Sequence, residues 1–188
     1  MLKLTLPKQD VWDQNTEEFS TLPEIDLEFE HSLYTISKWE ARFKKPYLSS
    51  NSEKKPEETM AYFYIMCKNS PLNEKEFLSR LDPATVKKLS EYISDPMTAT
   101  VINDNRPERP GKEVITNEII YYWMVSLQIP FECQHWHLNR LMTLIRVTSI
   151  KKAEANDPKA AKKAASREQL MRNNNLNDLR RAQLGSNG

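Results

Sequence analysis

The stretch EVITNEIIYYWMVSLQIPFECQHWHLNRLMTLIRV, residues Glu113–Val147, decides the fold because it places two tryptophans, two tyrosines and many aliphatic side chains around a single proline. Residues 118–127 are predicted to form one helix, and Pro130 is expected to open a second helix over residues 131–151. Two helices joined by a link of about three residues commonly fold back on each other. The sequence therefore predicts a helical hairpin in this stretch.

Apolar residues alternate with polar ones in two N-terminal segments, Met1–Pro7 and Ile25–Glu30. This alternation is typical of strands with one buried face. Turn-forming residues lie between the two segments, at Asp13, Asn15 and Pro23. Residues 1–31 are therefore predicted to form a small antiparallel β-hairpin or ribbon.

Residues 32–150 are predicted to form a helical core, of one domain with the ribbon. After Ser32 the apolar spacing changes to three and four residues, which predicts a helix with one apolar stripe. The stripe consists of Leu33, Ile36, Trp39 and Phe43. Further helices are expected over residues 56–67, 73–81 and 82–93, a strand over 97–102, and a loop over 103–112. Helix caps or first turns are expected at Pro56, at Asp82 with Pro83, and at Thr116 or Asn117.

The net charge of +1 over 188 residues hides a strong asymmetry. Residues 1–150 contain 18 basic and 22 acidic residues, whereas residues 151–188 contain 9 basic and 4 acidic residues and no aromatic side chain. The last segment cannot bury enough apolar surface to offset the entropy of ordering it. We expect a mainly α-helical α+β domain with a flexible basic C-terminal tail.

Composition argues against secretion and membrane insertion. Two cysteines, Cys67 and Cys133, are too few for the disulfide framework of a small secreted protein, and the first ten residues lack the pattern of a signal peptide. No apolar run approaches the length of about 18 residues needed to cross a bilayer. The sequence is typical of a protein of a reducing cytoplasm, without a membrane partner.

Cys133, His135 and His137 lie close enough in sequence to raise the possibility of a metal site or a Cys–His nucleophile. On a continuous helix Cys133 and His137 would share one face, but a zinc site needs three or four convergent ligands. Nucleophilic catalysis needs an orienting group and oxyanion donors as well. We therefore expect no enzyme, no catalytic residue, no metal site and no cofactor.

The residues alone describe a helical domain and do not specify an activity. Trp39, Trp123 and Trp136 lie at helical spacing, where such residues most often belong to the core, but some aromatic residues are candidates for contacts with other proteins. Tyr121, Tyr122, Trp123 and Met124 are four bulky residues in a row, which cannot all face one side of a helix. Aromatic side chains also mark protein interfaces. The residues expected to contact partners are Trp39, Tyr121, Tyr122, Trp123 and Trp136, with Arg172, Arg180 and Arg181 of the tail. Nucleic-acid binding by the tail is an alternative, which the absence of aromatic side chains and the diluting acidic residues disfavour.

Three segments resemble a group of small tailed-bacteriophage proteins. They are EHSLYTISKWEARFKKPYL (Glu30–Leu48), the opening stretch Glu113–Val147, and SREQLMRNNNLNDLRRAQLGSNG (Ser166–Gly188). The resemblance implies a role in virion morphogenesis, as a tail assembly chaperone that binds tape-measure and tail-tube proteins in the host bacterial cytoplasm. The alternative is a structural virion subunit, in the tail or at the head–tail connector, bound to neighbouring subunits.

Overall fold

The computed structural model describes residues 1–13, 18–49, 54–102 and 114–157, together with the single positions Gln169, Asn173 and Leu176. Within these residues the chain is mainly helical with a small N-terminal β component, which confirms the predicted α+β class. The strands are β1 (Leu2–Leu6), β2 (Gln9–Asp13), β3 (Glu18–Leu22) and β4 (Ile25–Phe29). The α-helices are α1 (Leu33–Phe43), α2 (Pro56–Met66), α3 (Glu74–Ser79), α4 (Pro83–Ser94), α5 (Asn117–Ser126) and α6 (Leu138–Asn156).

The predicted hairpin is present, and it is longer than the sequence suggests. β1 pairs antiparallel with β4, with Leu6 opposite Ile25, and β2 pairs antiparallel with β3, with Gln9 opposite Leu22. Both pairs keep the same register, so they are two parts of one ribbon. The segment between the two predicted strands, where turn-forming residues were noted, also contains β2 and β3, because the cross-strand pairing of Trp12 with Phe19 supports a ladder there.

The two parts of the ribbon meet at a joint that contains two prolines. Pro7 and Pro23 lie between the paired segments, and proline has no N–H to donate to a β-ladder. The guanidinium Nη2 of Arg80 donates hydrogen bonds of 2.8 Å to the carbonyl oxygens of both prolines. Arg80, which directly follows α3, is itself buried. A side chain from the helical body thus satisfies carbonyl groups at the interruption of the ladder.

The core lies between the β1–β4 part of the ribbon and the helices. Alternate residues of β4, Leu27 and Phe29, are buried, as is the predicted stripe of α1 except Phe43, which is half-buried. Ser32 caps α1 by accepting a hydrogen bond from the Thr35 N–H. The fully buried large side chains are Leu6, Leu27, Phe29, Leu33, Ile36, Trp39, Tyr62, Met66, Phe77, Leu89, Ile120 and Met124.

The second helix of the predicted hairpin is not continuous. Residues Phe131–His135 form a 3-10 helix, Trp136 is extended, and α6 begins only at Leu138. His137 pairs with Ser32 in an isolated antiparallel bridge, and the Leu138 N–H donates to the His31 carbonyl over 2.9 Å. This long-range backbone pairing requires extended residues where the local pattern favours a helix. The predicted helix over residues 131–151 is therefore wrong at its start.

Two other local predictions also differ from the structure. Residues 97–102 do not form a strand, and Met97 adopts a left-handed backbone conformation (φ 49°) that is incompatible with one. The predicted loop at residues 103–112 lies outside the described residues.

The chain divides into two units, Met1–Ile145 and Arg146–Gly188. In the second unit α6 continues to Asn156, beyond the expected start of the tail at residue 151, and Lys151 pairs with Glu154 over 2.8 Å within the last turns of the helix. Gln169, Asn173 and Leu176 are helical and exposed. The rest of the predicted tail lies outside the described residues.

Candidate protein-contact face

Helix α5 has one buried face and one exposed face. Ile120 and Met124 are fully buried, whereas Tyr122 and Val125 are 68 % and 58 % exposed. Helical periodicity explains the division, because residues 120 and 124 are one turn apart on the inner side and residues 122 and 125 are one turn apart on the outer side. The sequence YYWMV at residues 121–125 thus serves both the core and the surface.

The exposed apolar surface extends from α5 to the 3-10 helix and α1. The rings of Tyr121 and Phe131 lie 6.1 Å apart, and the Tyr121 hydroxyl donates a 2.8 Å hydrogen bond to Oε1 of Gln134. Phe131 is 55 % exposed, and Tyr34 on α1 is also exposed. We use the name contact face for the set Tyr34, Tyr121, Tyr122, Val125 and Phe131. Three elements contribute to it, and α1 is distant in sequence from the other two.

The structure separates the residues that were expected to contact partners. Tyr122 is exposed and Tyr121 is half-buried on the contact face. Trp123 and Trp136 are half-buried and pack against the core, and the Arg140 guanidinium lies 4.2 Å from the centre of the Trp136 ring. Arg172, Arg180 and Arg181 lie outside the described residues.

Trp39 is fully buried, so the structure corrects its assignment to the contact surface. Its indole Nε1 donates a 2.8 Å hydrogen bond to the Glu58 carbonyl, and its ring packs against Phe43 and Tyr47. Three members of the contact face, Tyr34, Val125 and Phe131, were not predicted from the sequence. For Val125 a signal was available, because it lies one helical turn after Tyr121 on the same side.

A buried carboxylate fixes the 3-10 helix beside the start of α1. Glu30 accepts hydrogen bonds from the Ser32 hydroxyl at 2.6 Å and from Nδ1 of His135 at 2.9 Å, and Lys68 lies 3.1 Å from its second oxygen. Burial opposes ionisation of Glu30, but these three partners outweigh it and lower the pKa of the carboxyl. The His135 ring also packs at 5.0 Å on Tyr34. Glu30 therefore positions one edge of the contact face.

A second buried carboxylate fixes the start of α5. Glu40, on α1, accepts hydrogen bonds from the backbone N–H and the side-chain amide of Asn117, and a third of 2.6 Å from the Tyr47 N–H. The Thr116 side chain at the N-cap position makes no capping hydrogen bond, so Glu40 replaces a local cap. A negative charge beside a helix N-terminus is also favourable electrostatically. This contact orients α5, and with it Tyr121, Tyr122 and Val125.

Two histidines are buried beneath the start of α1. His31 Nδ1 lies 2.6 Å from the Tyr62 hydroxyl, and the His31 and His137 rings are 5.0 Å apart. Burial lowers the pKa of His31 to about 3, with smaller contributions from His137 and Lys54, and burial also lowers the pKa of His137. Nε2 of His137 is 2.9 Å from the Tyr92 carbonyl. Both rings are therefore neutral structural groups at pH 7.

The described side chains give little support to a nucleophile or a metal site. Cys133 is buried and burial raises the pKa of its thiol, which disfavours the thiolate that either chemistry requires. The Ser32 hydroxyl is not available as a nucleophile, because it is buried and donates a hydrogen bond to Glu30. Among the described residues, no three His, Cys, Asp or Glu side chains form a group that could hold a metal ion.

None of the described helices combines the length and the hydropathy that crossing a bilayer requires. Comparisons of the chain with protein-family models, with curated proteins and with solved structures find no match.

Proposed function

We propose that this chain is a non-enzymatic tailed-phage protein that acts in virion morphogenesis through protein–protein contacts, and that its task is to chaperone tail assembly. The observation that carries the proposal is the contact face. Its five members come from α1, α5 and the 3-10 helix, and all but Tyr121 belong to the exposed large hydrophobic residues. Aromatic side chains are enriched at protein interfaces.

The rigidity of the contact face supports binding to a protein. Glu30 ties the 3-10 helix to the start of α1 through its hydrogen bonds with His135 and Ser32. Glu40 ties α5 to α1 through buried hydrogen bonds from Asn117. A face that is ordered before binding loses less conformational entropy when a partner covers it. The proposed occupants are apolar segments of the tape-measure protein and of tail-tube subunits. This assignment of partners rests on the sequence resemblance to phage proteins.

The chaperone hypothesis is tested by measuring where the protein is found after infection, in the cell lysate or in the virion. A tail assembly chaperone is expected in the lysate of infected cells and absent from purified particles, because it leaves the tail after polymerisation. Quantitative immunoblotting of both fractions, normalised to a major virion protein, distinguishes the alternatives. A fixed number of copies per purified particle would overturn chaperoning in favour of the structural virion subunit.

The test of the contact face uses two matched substitutions. Val125→Ser changes an exposed valine inside the face, and Val101→Ser changes a more exposed valine outside it. Val125→Ser is expected to weaken co-purification with the co-expressed tape-measure or tail-tube protein, because it removes apolar surface from the face, whereas Val101→Ser leaves it unchanged. Equal effects of the two substitutions would contradict the proposed role of the face.

Nucleic-acid binding is the remaining alternative, and salt dependence separates it from the proposal. Binding of the full chain to DNA or RNA that weakens steeply with salt, and that is lost on replacing the tail arginines, would favour it. The proposal expects no such binding at about 150 mM salt, in a fluorescence anisotropy titration.

A further inference from the structure

The outer part of the N-terminal ribbon, β2 with β3, differs from the part that joins the core. We call it the arm. Trp12 and Phe19 are directly opposite each other in its register, their ring centres are 4.9 Å apart, and they are 47 % and 73 % exposed. Phe19 and Trp12 thus form an exposed aromatic pair on one face of a two-stranded ribbon.

A two-stranded ribbon of this kind is only marginally stable in water by itself. In the described part of the chain, β2 and β3 pair only with each other, so each strand also has a free edge. The inner end of the arm is held by Arg80 at the proline joint. An anchored ribbon with an exposed aromatic pair and free edges has the properties of a docking element.

The acidic charge of the arm favours a basic binding partner. β2 and β3 contain three acidic residues, Asp10, Asp13 and Glu18, and no basic residue. Residues 158–188 of the same chain contain seven basic and two acidic residues. Their large apolar residues are Leu and Met side chains spaced along the segment, and they include no aromatic ring. The acidic aromatic arm and the basic aliphatic segment are complementary in charge and in side-chain type.

We propose that the arm of one copy of this protein binds the basic C-terminal segment, residues 158–188, of a second copy. Lysine and arginine side chains of the segment would lie against the Trp12 and Phe19 rings and the acidic residues of the strands. Because each copy has one arm and one basic segment, the contact is heterologous and links copies head to tail. It is separate from the contact face and does not depend on the proposed function.

The test is a charge exchange in the full chain. One variant carries Asp13→Lys with Glu18→Lys, which replaces a cross-strand pair of acidic residues by a pair of basic ones. The other carries Lys162→Glu with Lys163→Glu. Wild-type protein is expected to self-associate with rising concentration in sedimentation velocity at about 50 mM salt, and more weakly at about 300 mM. Each variant alone is expected to self-associate at least tenfold more weakly, and an equimolar mixture of the two is expected to recover association.

Control substitutions separate the contact from general effects. Lys75→Glu with Lys88→Glu makes the same change in net charge as Lys162→Glu with Lys163→Glu, on exposed sites of α3 and α4, and should leave association unchanged. Circular dichroism and urea unfolding confirm that each variant is folded.

Three outcomes would overturn the inference. The first is a wild-type protein that stays monomeric at every concentration, which would also be the result if the arm bound the segment of its own chain. The second is association that neither charge variant weakens. The third is a mixture of folded variants that does not recover association.

Discussion

Helices α1 and α5 place aromatic residues in opposite environments, although both residues were expected to contact a partner. Trp39 of α1 is fully buried, whereas Tyr122 of α5 is 68 % exposed. The difference comes from neighbours that are distant in sequence: α2 supplies a carbonyl acceptor for the Trp39 indole, and no described element covers Tyr122. Residue type and helical spacing identify an aromatic stripe, but only tertiary packing decides which stripe is core.

The largest expected effect on the free energy of unfolding comes from the buried residue of this comparison, Trp39. Trp39→Ala removes a buried indole that packs against Phe43 and Tyr47 and leaves the Glu58 carbonyl without its donor. The free energy of unfolding is expected to fall by about 3–5 kcal/mol, a large part of the stability of a typical domain. Urea denaturation followed by circular dichroism measures the change.

A conservative substitution sharpens the same test. Trp39→Phe keeps much of the buried volume but removes the indole N–H, so about 1–2 kcal/mol should be lost. If Trp39→Ala instead left stability unchanged and reduced partner binding, Trp39 would be a contact residue and its buried position would be incorrect.

A decrease in pH is expected to have an intermediate effect on the free energy of unfolding, through a buried histidine. Burial lowers the pKa of His31 to about 3 from an ordinary value of 6.5. Between these two pH values His31 is protonated in the unfolded chain but neutral in the folded chain. Stability therefore falls as the pH decreases from about 6.5 towards 3, by up to about 1.4 kcal/mol per pH unit, or about 2 kcal/mol by pH 5. His137, with its pKa also lowered, acts in the same direction.

His31→Gln tests this assignment because glutamine does not titrate. The groups around His31 include Tyr47, Tyr62, His137 and Lys54, and of these only His137 is another histidine, with its pKa lowered from 6.5. The variant should show a shallower loss of unfolding free energy between pH 6.5 and 5, whatever its stability at pH 7. An unchanged slope would mean that His31 is not the group responsible.

Much of the fold could be predicted from local patterns. The alternation of leucines in β1, the stripe of α1 and the caps Asn73 and Asp82 all specify their elements through residues close in sequence. The α+β class follows from them. The arm was missed because its Asp residues favour turns, whereas a cross-strand aromatic pair stabilises strands.

The candidate site could be predicted only in part. Tyr121 and Tyr122 follow from four bulky residues in a row. Phe131, however, was assigned to a long α-helix, and the structure has a short 3-10 helix there. The bridge between Ser32 and His137 interrupts that helix, and about a hundred residues separate its two partners. Likewise, Glu40 acts as the cap of α5 from a position 77 residues away. Contacts of this range have no signature in a single sequence.

The smallest expected effect on stability is on the outer side of the comparison. Tyr122→Ala removes a side chain that is mostly in solvent, so the free energy of unfolding should change by no more than about 0.5 kcal/mol. Binding of a partner to the contact face should nevertheless weaken at least tenfold, which corresponds to about 1.4 kcal/mol. Parallel urea denaturation and binding titrations with a purified partner measure both quantities.

Tyr122→Phe, which retains the ring, should preserve most of the affinity. A loss of stability like that of Trp39→Ala would show that Tyr122 is also a core residue, and the distinction between the inward and outward aromatic residues would then fail.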